Sequence, residues 1–243
     1  MRYITAIWNE IVTWCHGGME PIDYGLLYNW YAATDARNIA ADGWHVPTHN
    51  DFKTLILYID PTATDAIYGG YHFIESLIAG AELKETGETY WIDPNTGATN
   101  SMLFNGRGAG YRDAGDGDFY VIKESYFIWL NESEEDPYVY MGSPGYHANT
   151  EAYAGSDLKG VGYSIRLLKD STTLSDGEAG IYTGNDGKVY RTICIGTQEW
   201  VAHNLVETKY RNGDPIPEVT DDAAWAALIT GALCAYDNNW NNV

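Results

Sequence analysis

Positive charge is scarce in this chain. Fourteen Lys and Arg stand against 34 Asp and Glu in 243 residues, a net charge of −20. The deficit is spread out, with 10 basic and 24 acidic residues through Asp170 and 4 and 10 after it. No basic face is left to neutralise phosphates, which argues against nucleic acid as a partner and against an anionic bilayer. Cysteine is nearly absent. Cys15, Cys194 and Cys234 are too few and too widely spaced for a disulfide framework or a metal knuckle. They read as packed or free thiols, with a Cys194–Cys234 pair left open. No apolar run approaches the ~18 residues of a membrane span, so no membrane insertion is expected. The N-terminus, MRYITAIWNEIVTWCHGG, lacks a basic leader, a clean hydrophobic stretch and a small-residue cleavage site, so it does not read as a signal peptide.

Catalytic patterns are equally thin. The six histidines include no H-E-x-x-H pair. His45 and His49 are four apart, but Pro47 and a helix cap lie between them, so they share no helical face. Cys15 and His16 are sequence neighbours, whereas a nucleophile and its base normally meet from separate segments. Gly106-Arg107-Gly108-Ala109-Gly110 is glycine-rich, yet Tyr111-Arg112-Asp113 and a turn follow it where a phosphate loop would open a helix. It reads as a tight bend inside a sheet. In Asp113-Ala114-Gly115-Asp116-Gly117-Asp118 the carboxylates take the first, fourth and sixth places, not the first, third and fifth of an EF-hand. A solvated hairpin turn is expected there, with a weak calcium site left open and no other cofactor.

What the chain has in quantity is aromatic side chains and glycine. There are 20 Tyr, 9 Trp, 5 Phe and 26 Gly, with 45% hydrophobic and 20% charged residues, as in a folded globular protein. Turn dipeptides such as Asp42-Gly43, Asn105-Gly106, Asp116-Gly117, Asp186-Gly187 and Asn212-Gly213 recur. Between them lie short aromatic or β-branched runs: 119–122, 126–130, 138–141, 162–168 and 189–195. That is the pattern of many short strands joined by tight turns. Thr48 and Asp51 form a capping box, and Phe52, Leu55, Ile56 and Ile59 follow on one helical face. A second helix is expected over Tyr71 to Ala81. A short third one follows Thr220, with Trp225 and Leu228 facing inward. The class is α+β. Lys169 to Tyr182, rich in Ser, Thr, Gly and Asp, is a linker candidate.

The stretch Tyr126 to Tyr163 sets aromatics beside Asn, Ser, His, Gly and Glu, with few aliphatics. Rigid aromatic area with adaptable polar groups is what binding surfaces use. Tyr146, His147, Asn149 and Tyr153 show no strand pattern and are expected in an exposed loop.

Several segments in series resemble the Fibrobacter succinogenes major paralogous domain. They are YGLLYNWYAA (24–33), GWHVPTHNDFKTL (43–55), AELKETGETYWIDPNTGATN (81–100), GAGYRDAGDGDF (108–119) and GYSIRLLKD (162–170). DGKVYRTICIGTQEWVAHNLVETKYRNGDPIP (186–217) and VTDDAAWAALITGALCAYDNN (219–239) are similar to the same family, but to a part that normally precedes YGLLYNWYAA. The resemblance implies a C-type-lectin-like fold of short twisted antiparallel strands, two or three helices and long loops. It divides the chain into a lead segment, 1–22, and a main part, 23–170. Residues 171–243 either complete that same domain or form a second small packed unit. WHVPTHNDF is also similar to a stretch of sulfatase-modifying-factor domains, whose activity depends on late active-site cysteines. No cysteine occurs between Cys15 and Cys194, so that activity is not expected.

The family resemblance implies binding rather than catalysis, with a ligand face over roughly Trp129 to Tyr153. The candidate contacts are Trp129, Asn131, Ser133, Tyr138, Tyr140, Tyr146, His147, Asn149 and Tyr153. The expected role is a receptor-binding module outside the cell that made it, on a phage virion or tail tip. Its partners would be a bacterial surface glycan or protein, other virion or surface proteins, and in one reading further copies of itself. A structural decoration or spacer is the alternative. A metal-assisted hydrolase built on Asp113, Asp116, Asp118 and a histidine is a distant third.

Overall fold

The computed structural model describes residues 22–68, 71–135 and 137–243, so Cys15, His16 and all of the lead segment except Ile22 lie outside the described residues. The elements in chain order begin with β1 (Leu27–Asn29), α1 (Trp30–Ala33), β2 (Trp44–His45), α2 (His49–Ile59), β3 (Thr64–Tyr68), β4 (Tyr71–Ser76) and α3 (Ala79–Leu83). Then come β5 (Tyr111–Arg112), β6 (Phe119–Tyr120), β7 (Ser125–Glu135), β8 (Tyr138–Tyr146), β9 (Ala152–Leu158), β10 (Gly162–Tyr163) and β11 (Leu168–Lys169). Last are β12 (Ala179–Thr183), β13 (Val189–Ile195), β14 (Gln198–Val201), α4 (Asp222–Ala226) and β15 (Leu233–Cys234). The protein is α+β and rich in strand.

These strands form three five-stranded sheets, ordered β15-β1-β10-β5-β6, β12-β13-β14-β11-β2 and β3-β4-β9-β8-β7. Every pairing between named strands is antiparallel. The first two sheets mix strands from before and after Asp170: Leu27 pairs with Cys234, and Leu168 with Trp200. The Lys169–Tyr182 stretch therefore connects two strands of one sheet. Two fully buried arginines reinforce these seams. Arg112 donates to Val219 O (2.6 Å), Thr220 O (3.1 Å) and the Asp222 carboxylate (2.8 Å), its guanidinium lying over the Trp225 and Phe119 rings. Arg166 donates to the Asn204 side chain (2.8 Å) and Asn105 O (2.9 Å). Five fixed donors on a planar group suit this gathering of carbonyls.

α2 forms as its sequence predicts. Thr48 Oγ1 accepts from Asp51 N (3.1 Å), and the Asp51 carboxylate accepts from Thr48 N (2.8 Å). Phe52, Leu55 and Ile56 are completely buried, at about 1.5–3 kcal/mol each for large apolar side chains. At α4, Asp221 caps Ala224 N, and Trp225 is buried. The Asn185-Asp186-Gly187 turn joins β12 to β13, with Thr183 opposite Val189.

The helix expected over Tyr71 to Ala81 is replaced by strand β4 and the short helix α3. Ile74 pairs with Asp65 on one side and Ala154 on the other, so non-local pairing overrides the helical pattern. Ser76 Oγ then donates to the Asp60 carboxylate (2.6 Å) and accepts from Ala79 N (3.0 Å), fixing the switch from strand to helix. Cys194 and Cys234 are buried free thiols, with no bond between them. The Asp113–Asp118 run is the turn of the β5–β6 hairpin, its Asp113 and Asp116 carboxylates accepting from Gly115 N (2.7 Å) and Asp118 N (2.9 Å).

Candidate functional site

Strands β7, β8 and β9 stand between two cores. Tyr126, Ile128, Leu130, Tyr140, Ala152 and Ala154 join Phe52, Leu55 and Ile56 of α2 on one side. Trp129, Val139 and Met141, with half-buried Phe127 and Tyr153, belong to the other. This is the period-two alternation of strands buried on both faces. On the second side the pairing sets Ser143 opposite Tyr153 and Ser125 opposite Tyr146. Side chains directly opposite share a face. Together they line a cleft of about 170 Å³ whose walls are Ser125, Phe127, Ser143, Tyr146, Asn149, Glu151 and Tyr153.

The cleft's rim is the β8–β9 loop, held from beneath by one side chain. Lys84, at the end of α3, is completely buried. Its ammonium donates to Thr96 O (2.9 Å), Tyr146 O (2.8 Å) and Asn149 O (2.7 Å), which uses all three of its protons. Burial pushes its pKa down to about 8. Backbone bonds add to the hold: Thr96 N to His147 O (2.7 Å), His147 N to Glu124 O (2.8 Å) and Gly80 N to Thr150 O (2.9 Å). A Cβ on Gly80 would lie 2.1 Å from Glu151 O, so only glycine fits there.

Inside the cleft, Asn149 is turned toward its neighbour. Its amide donates to the Glu151 carboxylate (2.7 Å) and its oxygen accepts from Glu151 N (3.1 Å). Burial raises the Tyr153 phenol, opposed by a hydrogen bond with Ser143 and aided by the Asp157 and Glu151 carboxylates. Tyr146 is 38% exposed and meets the His147 ring edge to face at 4.6 Å. Phe127 packs on Tyr163 at 5.0 Å and on Tyr111 at 6.0 Å, continuing the aromatic wall inward.

The nine residues singled out from the sequence therefore separate. Tyr146, Asn149 and Tyr153 converge on the cleft, with His147 beside them. Asn131, Ser133 and Tyr138 are exposed near the far end of the β7–β8 hairpin. Tyr138 and Tyr146 bound β8, about 26 Å apart at ~3.3 Å per residue. Trp129 and Tyr140 are buried, which corrects their place among surface contacts. Trp129 Nε1 donates to Tyr28 O (2.7 Å), and the Tyr140 hydroxyl accepts from His72 N (3.0 Å). The expected open loop is also shorter, since Tyr146 ends β8 and Tyr153 lies in β9. Sequence reading missed Ser125, Phe127, Ser143 and Glu151. Strand parity with Tyr146 and Tyr153 is the signal that finds the serines.

Elsewhere, His45 bridges Asp170 (2.6 Å) and Asp51 (3.3 Å), whose carboxylates raise its pKa. His49 sits apart from it, against the Tyr140 ring at 4.8 Å, and burial lowers its pKa. Among the described residues no three His, Cys, Asp or Glu gather as a metal site, and no helix is long and apolar enough to cross a membrane.

Family comparison agrees with the motifs. The Fibrobacter succinogenes major domain model matches residues 18–169, more than half of the chain, and the chain belongs to that family. No curated protein and no solved structure matches it.

Proposed function

We propose that this protein is a non-enzymatic ligand-binding module of C-type-lectin-like fold, displayed on a phage virion or tail tip. Its ligand is a glycan or protein on a bacterial surface. The observation that carries this reading is the cleft itself. Aromatic, hydroxyl, amide and carboxylate side chains converge there on a rigid sheet, and the rim is fixed by a buried lysine rather than left free. Small polar pockets with aromatic walls orient a ligand through a few placed groups. Fluorescently labelled protein, added to panels of bacterial cells and glycans with and without calcium, tests the reading. Selective, saturable binding is expected, and absence of binding to every surface by folded protein overturns it.

A spacer role draws on a different surface. Tyr138 and Leu158 are paired across the β8–β9 edge yet remain 49% and 37% exposed, and Ile67 on β3 is 63% exposed. Apolar area at a sheet end suits packing of one copy on another. Measuring solution mass decides it: a stable oligomer lost in Tyr138→Ser supports the spacer, and a monomer at working concentration removes it.

A further inference from the structure

We propose that the cleft receives one cationic group, the ammonium of a lysine side chain on a protein partner. This rests on the binding reading above and names the ligand's chemistry. Three observations carry it. First, Glu151 is the only charged side chain in the lining, and nothing in the lining offers a positive donor. Asn149, which the sequence suggested as a direct ligand contact, spends its amide and its oxygen on Glu151 and so acts as a positioning residue for that carboxylate. The neighbouring cation, Lys84, has its three protons on backbone carbonyls. Second, the walls are the rings of Phe127, Tyr146 and Tyr153, whose faces attract a cation and whose edges accommodate its methylene stem. Third, the volume of about 170 Å³ is well under the ~300 Å³ at which drug-sized ligand sites begin, so it accepts one side chain and not an oligosaccharide.

A protein rather than an amino sugar is favoured by the rim. Thr150, between the lining residues Asn149 and Glu151, donates to Leu77 O, and Leu77 and Ile78 are 63% and 53% exposed beside it. That apolar shelf suits neighbouring side chains of a protein better than sugar hydroxyls.

The test titrates the intact chain with four probes: Nα-acetyl-lysine methylamide, the neutral Nα-acetyl-norleucine methylamide, glucosamine and methyl glucoside. The readout is the backbone amide shifts of Tyr146, Asn149, Glu151 and Tyr153. The lysine probe is expected to move these amides and to bind at least about fivefold tighter than the norleucine probe. Glu151→Gln, which keeps the acceptor for Asn149, is expected to erase that preference and leave norleucine binding unchanged. A measurement needing no variant accompanies it: added salt should weaken the lysine probe and not the norleucine one. Equal binding of lysine and norleucine, or no response to either, overturns the proposal. Glucosamine matching the lysine probe moves the cation to an amino sugar and overturns the protein partner. Methyl glucoside binding more tightly than lysine overturns the cation while leaving the binding reading standing. That reading fails separately, on loss of all cell binding by unaltered protein.

Discussion

Replacing Lys84 with methionine isolates the role of the buried ammonium, because methionine fills much the same space without charge or donors. Two terms oppose each other. Methionine removes the cost of keeping a charge in the interior. A pKa depressed from 10.5 to about 8 sets that relief at no more than about 3 kcal/mol at neutral pH. It also orphans the carbonyls of Thr96, Tyr146 and Asn149, at about 1–3 kcal/mol for each buried group left unpaired. Three such losses come to about 3–9 kcal/mol against about 3 of relief, so the net expectation is destabilisation centred on ~3 kcal/mol. The loss should be local as well as global, because the three carbonyls hold the β8–β9 loop to the 94–97 turn. Denaturant titration followed by circular dichroism gives the first quantity, and hydrogen exchange over Tyr146 to Glu151 gives the second. Unchanged stability together with unchanged exchange would refute the claim that this side chain holds the rim of the cleft.

Other outcomes follow from the same structure. Gly80→Ala should disrupt the rim, since the added methyl meets Glu151 O at 2.1 Å; a melting temperature within a degree or so of the parent would contradict that contact. Removing residues 171–243 unpairs β11 from β14 and β1 from β15 and strips Arg112 and Arg166 of acceptors, so the shortened chain should fail to fold; a cooperative melt from it would contradict the seams described above. Glu207 is buried and its carboxyl is pushed up to about 7. Its folded state holds a proton that the unfolded state releases above about 4.5, so stability should fall by up to about 3 kcal/mol as pH rises from about 4.5 through 7. His45, raised by Asp51 and Asp170, slopes the same way, whereas His49 and His203, lowered by burial, slope oppositely below about pH 6.5. The comparison is therefore made with Glu207→Gln; a variant whose denaturation midpoint follows the parent's pH dependence from about pH 5 to 8 would contradict the Glu207 assignment.

The two kinds of legibility in this sequence have physical causes. α2 and the Asn185–Gly187 hairpin were readable because their determinants are local: a cap three residues from its partner, a helical spacing, a turn dipeptide. β4 reads as helix in sequence although its hairpin partner β3 is adjacent; the pairing that fixes its other side, Ile74 opposite Ala154 of β9, lies far along the chain and has no local trace. The cleft was half readable. Composition alone drew attention to Tyr146, Asn149 and Tyr153, since that mixture of side chains suits contact. It equally drew in Trp129 and Tyr140, because an aromatic residue looks the same in sequence whether its strand turns it out or in. Glu151 resembled an ordinary solvated acid among 34. Lys84 was invisible as a determinant, since its role depends on carbonyls from two distant loops.

The location of the binding face is the central claim, and one comparison tests it most directly. Labelled Tyr146→Ala/Tyr153→Ala protein is set beside labelled Asn131→Ala/Tyr138→Ala protein on bacterial cells that bind the parent chain, with folding of each checked by circular dichroism. The cleft pair is predicted to abolish binding, and the hairpin pair, about 26 Å away along β8, to leave it within a factor of two. Full binding by the cleft variant, or loss confined to the hairpin variant, would contradict the account.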